Sequence, residues 1–583
     1  MSYKSKLSVE EIRAKAREAL EAAAKAKAER DAANSAKTQA AKEAFQQQVV
    51  QPTVISAAVQ RVFTGANFQP QVVGMQYNDE QCQALELGMR GKSFNLIGAA
   101  GTGKTTTTQE LILQLLRMPH ISPFDDSSQY LVKGEPGIVI VSFTNKAVNN
   151  IRKKLPKHLQ HHCITLHKLI EFQPERDAEG RIVGFAPARN QGNPLPYISC
   201  VIFEESSMVA TELYAQYRRA LPEGCTPQEI FLGDLNQLPP VFGEAILGFK
   251  LIELPTVELV QVYRQAMESP IISLAHRVRE GKTLNFPFDE NGVSIVDKAE
   301  HGKVIIRKWK KRIQSVSAVK TMGAVMLQYF DNGQYDPETD TILCPFNVEF
   351  GCLELNKILA NRFARDRKAV TWHVIARGKD SYWAIGDRVL FNQMDAVIED
   401  IRPSPGYTGK LPLDESEHLT RWGQYDDGQT HTRAQKSEIE LLDSIESAPI
   451  GERDKNSGSH IIKIRYIDSG QSQDISASGD INKLLLGYAI TVHKSQGSEW
   501  KRVFIALHYT HNQMLSRELM YTAITRAKQE LIMFIDPGVD GGLDSISKAA
   551  RSPEIKGVTL QEKAQFFKGK VGTYQEHLYG NEE

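Results

Sequence analysis

Cysteine is scarce in this chain: six in 583 residues, at Cys82, Cys163, Cys200, Cys225, Cys344 and Cys352. No two make a C-x-x-C pair and none has a histidine at finger spacing, which excludes a structural zinc ribbon or a disulfide framework. Reduced, mostly buried thiols are expected instead. There is also no apolar run near the ~20 residues that cross a bilayer, and no apolar signal core at the N-terminus. A soluble, cytoplasmic chain with no membrane partner is expected. Neither sign of charge is in excess, with 70 Lys and Arg against 70 Asp and Glu. Any polyanionic partner must therefore be held in local grooves and not by a globally basic surface.

The first fifty residues contain no Gly and no Pro and are rich in Ala, Lys, Glu and Gln, a helix composition. Ser8 and Glu11 fit a capping box, and Pro52 bounds the helix. Its apolar stripe, Ile12 and Leu20 with alanines between, is thin. Residues 1–52 are either a solvated, loosely docked helix or a dock for a partner. The whole length exceeds what one core can hold, so several domains are expected.

What the chain does have is a complete phosphate-binding loop. The apolar run Phe94–Ile97 leads into Gly98, Ala99, Ala100, Gly101, Thr102, Gly103, Lys104 and Thr105, with Thr106 following. This is a strand and then G-x-x-x-x-G-K-[ST], whose glycines let backbone N–H groups curl round a phosphate. Lys104 supplies a point charge to the β/γ oxygens and the Thr105 hydroxyl a Mg²⁺ ligand. ATP is the expected fuel. Further on, the strand Val201–Phe203 ends in Glu204 and Glu205, acids suited to holding hydrated Mg²⁺ and to orienting or deprotonating an attacking water. Another strand, Ile230–Leu232, ends in a polar turn where Gln237 can sense a γ-phosphate, and Pro239 and Pro240 stiffen its exit.

Strands alternate with helical stretches from 53 to 256, and a second set begins near Thr256 and resumes at Thr341–Cys344, Val503–Leu507 and Leu531–Ile535. Such alternation builds parallel sheets with the ligand loops at the strand C-terminal ends. Two later arginines, Arg264 after Tyr263 and Arg526 after Thr525, sit in apolar surroundings where a lone guanidinium calls for an anion.

In this order the motifs resemble those of superfamily 1 helicases, most of all the 5′→3′ branch with the RecD-like and phage Dda-like enzymes. The resemblance spans about residues 75 to 536. Asn78–Gln81 resembles the Q motif, Thr144–Lys146 motif Ia, Thr165–His167 motif Ib, Glu204–Glu205 motif II, Gly233–Pro240 motif III, Tyr263–Gln265 motif IV, Thr491–Gly497 motif V and Tyr521–Ala527 motif VI. Glu204 departs from the family's usual Asp by one methylene. The resemblance implies two RecA-like domains with ATP between them, Gln81 reading adenine, and Arg264 and Arg526 reaching the γ-phosphate from the second domain. Tyr263 either stacks on adenine or packs in the core. Nucleic acid is implied at Thr144, Asn145, Lys146, Thr165 and His167 in the first domain, and at Asn347, Thr491, His493 and Lys494 in the second. Their hydroxyls, amides, rings and cations suit a single strand.

Two insertions complete the expected α/β architecture. Residues 171–196 carry a turn at Asp177–Gly180 between short apolar segments. This is either a pin meeting a duplex fork, with Phe185 as wedge ahead of Phe172, or a surface loop with Phe185 tucked beneath. Residues 393–483 contain the strand candidate Ile461–Tyr466, and the resemblance implies an SH3-like β-barrel. The expected division is 53–256 for the first RecA-like domain, 257–392 and 484–545 for the second, and 546–583 as a tail of little periodicity with no assigned role. Together these readings point to a monomeric, ATP-dependent 5′→3′ DNA helicase and single-strand translocase working at duplex forks. Replication or recombination proteins are possible partners of the N-terminal helix. A remodelling translocase with little unwinding, an ATP-switched scaffold and an RNA track remain the alternatives.

Overall fold

Runs such as Ile138–Ser142 and Gln228–Gly233 are buried along their whole length, as strands covered on both faces require. The computed structural model describes residues 76–579 apart from 177–181, 262–267, 283, 299, 309–326, 330–331, 333, 348–350, 368, 370, 377–378, 405–456 and 536–543. The expected N-terminal helix, Tyr263 and Arg264 therefore lie outside the described residues.

The first domain is built on β1 (Phe94–Gly98), β2 (Ile138–Ser142), β3 (Cys163–Thr165), β6 (Cys200–Glu204), β7 (Gln228–Gly233) and β8 (Thr256–Leu259). They form one parallel sheet in the order β3-β2-β6-β7-β1-β8. One apolar cluster covers each face, one centred on Leu96, Ile140 and Ile202 and the other on Val141, Phe203 and Phe231. Between β3 and β6 the expected hairpin is present as β4 (Phe172–Arg176) and β5 (Ile182–Pro187), paired antiparallel. Phe172 packs against the core while Phe185 is 63% exposed.

The second domain repeats the design. β9 (Val293–Lys298), β10 (Gly302–Lys308), β11 (Asp340–Cys344), β19 (Ala489–Thr491), β20 (Trp500–Ala506) and β21 (Ala527–Ile535) pair in the order β19-β11-β20-β21-β10-β9. Only the edge strand β9 runs antiparallel in this sheet. Between β11 and β19 come the β12–β13 hairpin (Thr371–Ala376, Lys379–Ala384) and a five-stranded antiparallel sheet of β14 (Arg388–Phe391), β15 (Met394–Pro403), β16 (Ser457–Tyr466), β17 (Ser472–Ala477) and β18 (Leu485–Leu486). Val389, Ile398, Ile462 and Ile475 give this sheet its own core. It starts before the expected boundary at 393 and ends beyond 483, because β14 and β18 close it by pairing with each other.

The tail departs from expectation. Helices at Ser545–Ala550, Leu560–Lys568 and Val571–Tyr579 are all docked. Ile546, Ala549 and Ala550 belong to the second domain's core, whereas Ile555, Ala564, Phe567 and Tyr574 belong to the first domain's. Tyr574 stacks on Phe249 with ring centroids 4.4 Å apart. Gly248 makes room for Phe567, since a Cβ there would lie 2.2 Å from its ring.

All six cysteines are free thiols, Cys82 half-buried and the rest buried. Among the described residues no helix is long and apolar enough to cross a membrane.

Candidate nucleotide site between the two sheets

The phosphate loop turns on Gly101 and Gly103, at φ 82° and 81°, values that exact a steric cost from any residue with a Cβ. The loop then feeds the helix Lys104–Leu115, so its N-terminal amides and helix dipole face one point. Lys104 Nζ lies 2.5 Å from Gly98 O and 3.5 Å from Gly233 O, joining this loop to the end of β7. Thr105 and Thr106 line the same cleft of about 1640 Å³, with Glu204, Glu205, Gln237 and, from the second domain, Arg526.

Glu204 ends β6, and Glu205 follows in left-handed backbone at φ 52°. Such a conformation costs a non-glycine residue about 1–3 kcal/mol and is kept where the surroundings impose it. Desolvation, and then the neighbouring Glu205 charge, push the Glu204 carboxyl up to about 7, against the pull of Lys104 and Lys154. Glu205 Oε2 and Gln237 Oε1 are buried acceptors with no hydrogen-bond partner among the described residues. Unsatisfied acceptors at a cleft wall are costly unless a ligand, ion or water completes them. The paired acids and the Thr105 hydroxyl therefore fit a hydrated divalent cation carried with a nucleotide.

Arg526 is 5% exposed, and its guanidinium donates to Thr522 O (3.0 Å), Ser498 O (3.1 Å) and Thr525 Oγ1 (3.1 Å). All three contacts are to neutral oxygens, which leaves the charge available to an anion in the cleft. One tie across the cleft was not foreseen from the sequence. Tyr521, on the helix Arg517–Ile524, accepts from the Ala100 amide at 3.0 Å and donates to Asp234 Oδ2 at 2.7 Å. The phosphate loop, the loop after β7 and the helix leading to Arg526 thus meet at one hydroxyl. Leu238 N donates to Thr522 Oγ1, and Gln496 Nε2 donates to Leu238 O, both at 2.9 Å. Asp234 is buried, yet Lys104, the Asn236 donors and Tyr521 outweigh desolvation and lower its pKa.

The remaining predicted residues divide. Gln81 is 1% exposed and closes a capping box with Asn78, its Oε1 accepting from the Asn78 amide at 3.0 Å. Helix capping thus occupies the group expected to read adenine. Lys146 is likewise not a free cation: it is buried in an ion pair with Asp395 and lies 4.3 Å from the Trp500 ring centroid. Arg388 Nη2 holds the other Asp395 oxygen at 2.9 Å. Burial opposes ionisation, but Arg388 and then Lys146 override it and hold Asp395 down to about 2. Lys146 therefore fastens the antiparallel sheet to the first domain. Thr144 and Thr165 cap helices, accepting from Ala147 N and Lys168 N. His167 is wedged edge-on between Phe143 and Phe172, and burial lowers its pKa. Asn347 and Lys494 are exposed, and Thr491 and His493 are half-buried, His493 with its pKa lowered by burial.

Two parallel sheets sharing a cleft, with a phosphate loop on one wall and an arginine on the other, define a P-loop NTPase with paired RecA-like domains. Residues 81–243 match the AAA domain family and residues 486–534 the UvrD-like helicase C-terminal domain. Over most of its length the chain is similar to RecD-type helicases. It is 26% identical over 492 residues to the ATP-dependent RecD2 DNA helicase of Deinococcus radiodurans, covering 83% of this chain and 52% of that protein. It is 22% identical over 473 residues to the RecBCD enzyme subunit RecD of Mycobacterium tuberculosis, covering 78% and 68%. The chain thus spans about half the length of the first relative and two thirds of the second. Among solved structures, Bacteroides Pif1 bound to ssDNA aligns at a TM-score of 0.40 and 15% identity, covering 79% of this chain and 92% of its own.

Proposed function

We propose that the chain is an ATP-dependent 5′→3′ DNA helicase that translocates on single strands. The observation that carries this is the Tyr521 hydroxyl, which ties phosphate loop, sensor loop and arginine helix together across the cleft. ATP binds with its phosphates on the Gly98–Thr106 loop and Lys104. Glu204 and Thr105 would hold a Mg²⁺ carried with the nucleotide, whose charge would offset that of the phosphates. Glu205 takes the proton of the attacking water, Gln237 orients that water and reads the γ-phosphate, and Arg526 stabilises charge on the phosphoryl group in transfer. Arg264 would join it from the second domain, with Tyr263 at the base. Once the γ-phosphate has gone, Arg526 no longer has its anion and the cleft opens, which moves one sheet against the other.

The track is single-stranded DNA laid over both domains. Asn145, Thr144, Thr165 and His167 would contact it on one side and Asn347, Thr491, His493 and Lys494 on the other. Phe185, at the exposed edge of the β4–β5 hairpin, is the proposed wedge at the fork. The antiparallel sheet at 388–486 is read as the SH3-like module beside the strand exit. Steady-state hydrolysis with and without a single-stranded oligonucleotide tests the reading, with Lys104→Ala as control. DNA-stimulated turnover that the variant abolishes is expected; turnover indifferent to DNA would favour the ATP-switched scaffold.

A further inference from the structure

The helix that carries Tyr521 is fastened at its N-terminal end to the C-terminal segment. Arg517 N donates to Ser552 O at 2.9 Å and Arg517 Nε to Ala550 O at 3.0 Å. The Glu518 carboxylate accepts from Glu554 N at 2.9 Å and Ile555 N at 3.4 Å, and Ser516 Oγ bonds Glu554. A few residues later the same segment reaches the opposite wall. Lys563, 1% exposed, donates from Nζ to Leu235 O at 2.7 Å and to Asn236 Oδ1 at 2.9 Å. Leu235 and Asn236 immediately precede Gln237.

Beyond this point Phe567 and Tyr574 are set into the first domain's core, Arg219 Nη2 donates to His577 O at 2.6 Å, and Thr211 Oγ1 lies 2.8 Å from His577 Nδ1. The far end of the segment is thus anchored on the first domain, and the near end on the arginine helix of the second. A buried ammonium spent on a backbone carbonyl and one amide oxygen is an expensive way to hold a surface tail. At this place it fixes the loop that aims Gln237.

We propose that residues 550–579 form a strap coupling the arginine helix to the γ-phosphate-sensing loop, with Lys563 as the positioning residue that sets Gln237. The inference rests on the cleft being an ATP-hydrolysing site. Lys563 touches no nucleotide in this scheme and acts through the loop alone. Its loss should therefore leave ground-state binding intact and impair the hydrolytic step.

The test is steady-state ATPase of the full chain with saturating oligothymidylate, comparing wild type with Lys563→Met, Lys563→Arg, Gln237→Ala and the Met/Ala double variant. Circular dichroism melts serve as the folding control. Lys563→Met should lower kcat by about tenfold or more with KM for ATP little changed. Lys563→Arg, keeping a buried cation, should recover most of that loss. The double variant should be no worse than Gln237→Ala alone, since both act through one group. If Lys563→Met does not fold, Lys563→Gln, which removes the charge but keeps a polar donor and leaves the Asn236–Asp234 contact in place, takes its place in the same comparison. A folded Lys563→Met with wild-type kcat, or fully additive losses in the double variant, would overturn the strap. Wild-type protein that fails to hydrolyse ATP would overturn the functional reading and the strap with it, whereas wild-type turnover that Lys563→Met leaves intact overturns the strap alone.

Discussion

Replacing Tyr521 by Phe removes one oxygen and leaves the ring in the second domain's core. Asp234 is fully buried, and its Oδ1 is already taken by the Asn236 amide (2.9 Å) and side-chain nitrogen (2.8 Å). Oδ2 would lose the 2.7 Å phenolic donor. A hydrogen bond to a buried charge contributes about 1.5–3 kcal/mol. The second partner, the Ala100 amide, is on a half-exposed residue that water can reach, so its loss adds little. The tie joins the two walls of the cleft that Arg526 and the phosphate loop both line. A loss of about 2 kcal/mol there corresponds to about thirtyfold in kcat/KM at 1.36 kcal/mol per decade. The assay is DNA-stimulated ATPase of Tyr521→Phe at subsaturating ATP. A kcat/KM within about threefold of wild type would refute the argument that this hydroxyl holds the walls together.

Glu205→Gln should retain ATP binding, measured with a fluorescent analogue, while hydrolysis falls by about 10²–10⁴-fold, the usual contribution of a general base; loss of binding as well would mean that Glu204 and Glu205 divide their roles otherwise. Phe185→Ala should impair duplex separation but leave ATPase on a single strand near wild type, and equal loss of both would remove the hairpin from the fork. Burial holds the Lys563 ammonium down to about 8 against the opposing attraction of Glu518 and Asp234, with Arg517 and Arg279 lowering it further. Wild-type kcat should therefore fall as pH rises through about 8, where that ammonium loses its proton. Lys563→Arg should not show this alkaline limb; an unchanged limb would assign it to another group.

The cleft that gathers the phosphate loop and the paired acids was legible because its signals are local: a glycine loop behind one strand and two acids behind another need no distant partner to be recognised. The hairpin was legible for the same reason, its turn residues lying between two apolar segments. Residues whose partners are far away in the chain were not. Lys146 looked like a phosphate contact, but Asp395, which lies far along the chain in the antiparallel sheet, claims it. Gln81 looked like a base reader, although Asn78 three residues earlier already supplied the capping-box signal that occupies it. The strap was missed because its helices are short and each buries only a few apolar groups, divided between two domains. A signal was nonetheless present: Thr559 and Glu562 form a capping box that opens the helix carrying Lys563. Tyr521 and Asp234 stood inside recognised motifs, but the motif pattern does not say that one hydroxyl joins three of them.

The central claim is that ATP hydrolysis in this cleft drives the chain 5′→3′ along DNA and opens a fork. Strand displacement of a forked duplex with a 5′ or a 3′ single-stranded tail, in ATP and Mg²⁺ with Lys104→Ala alongside, tests it most directly. Displacement only from the 5′ tail, absent in the variant, is predicted; displacement from the 3′ tail, or DNA-stimulated hydrolysis with no displacement from either, would contradict it.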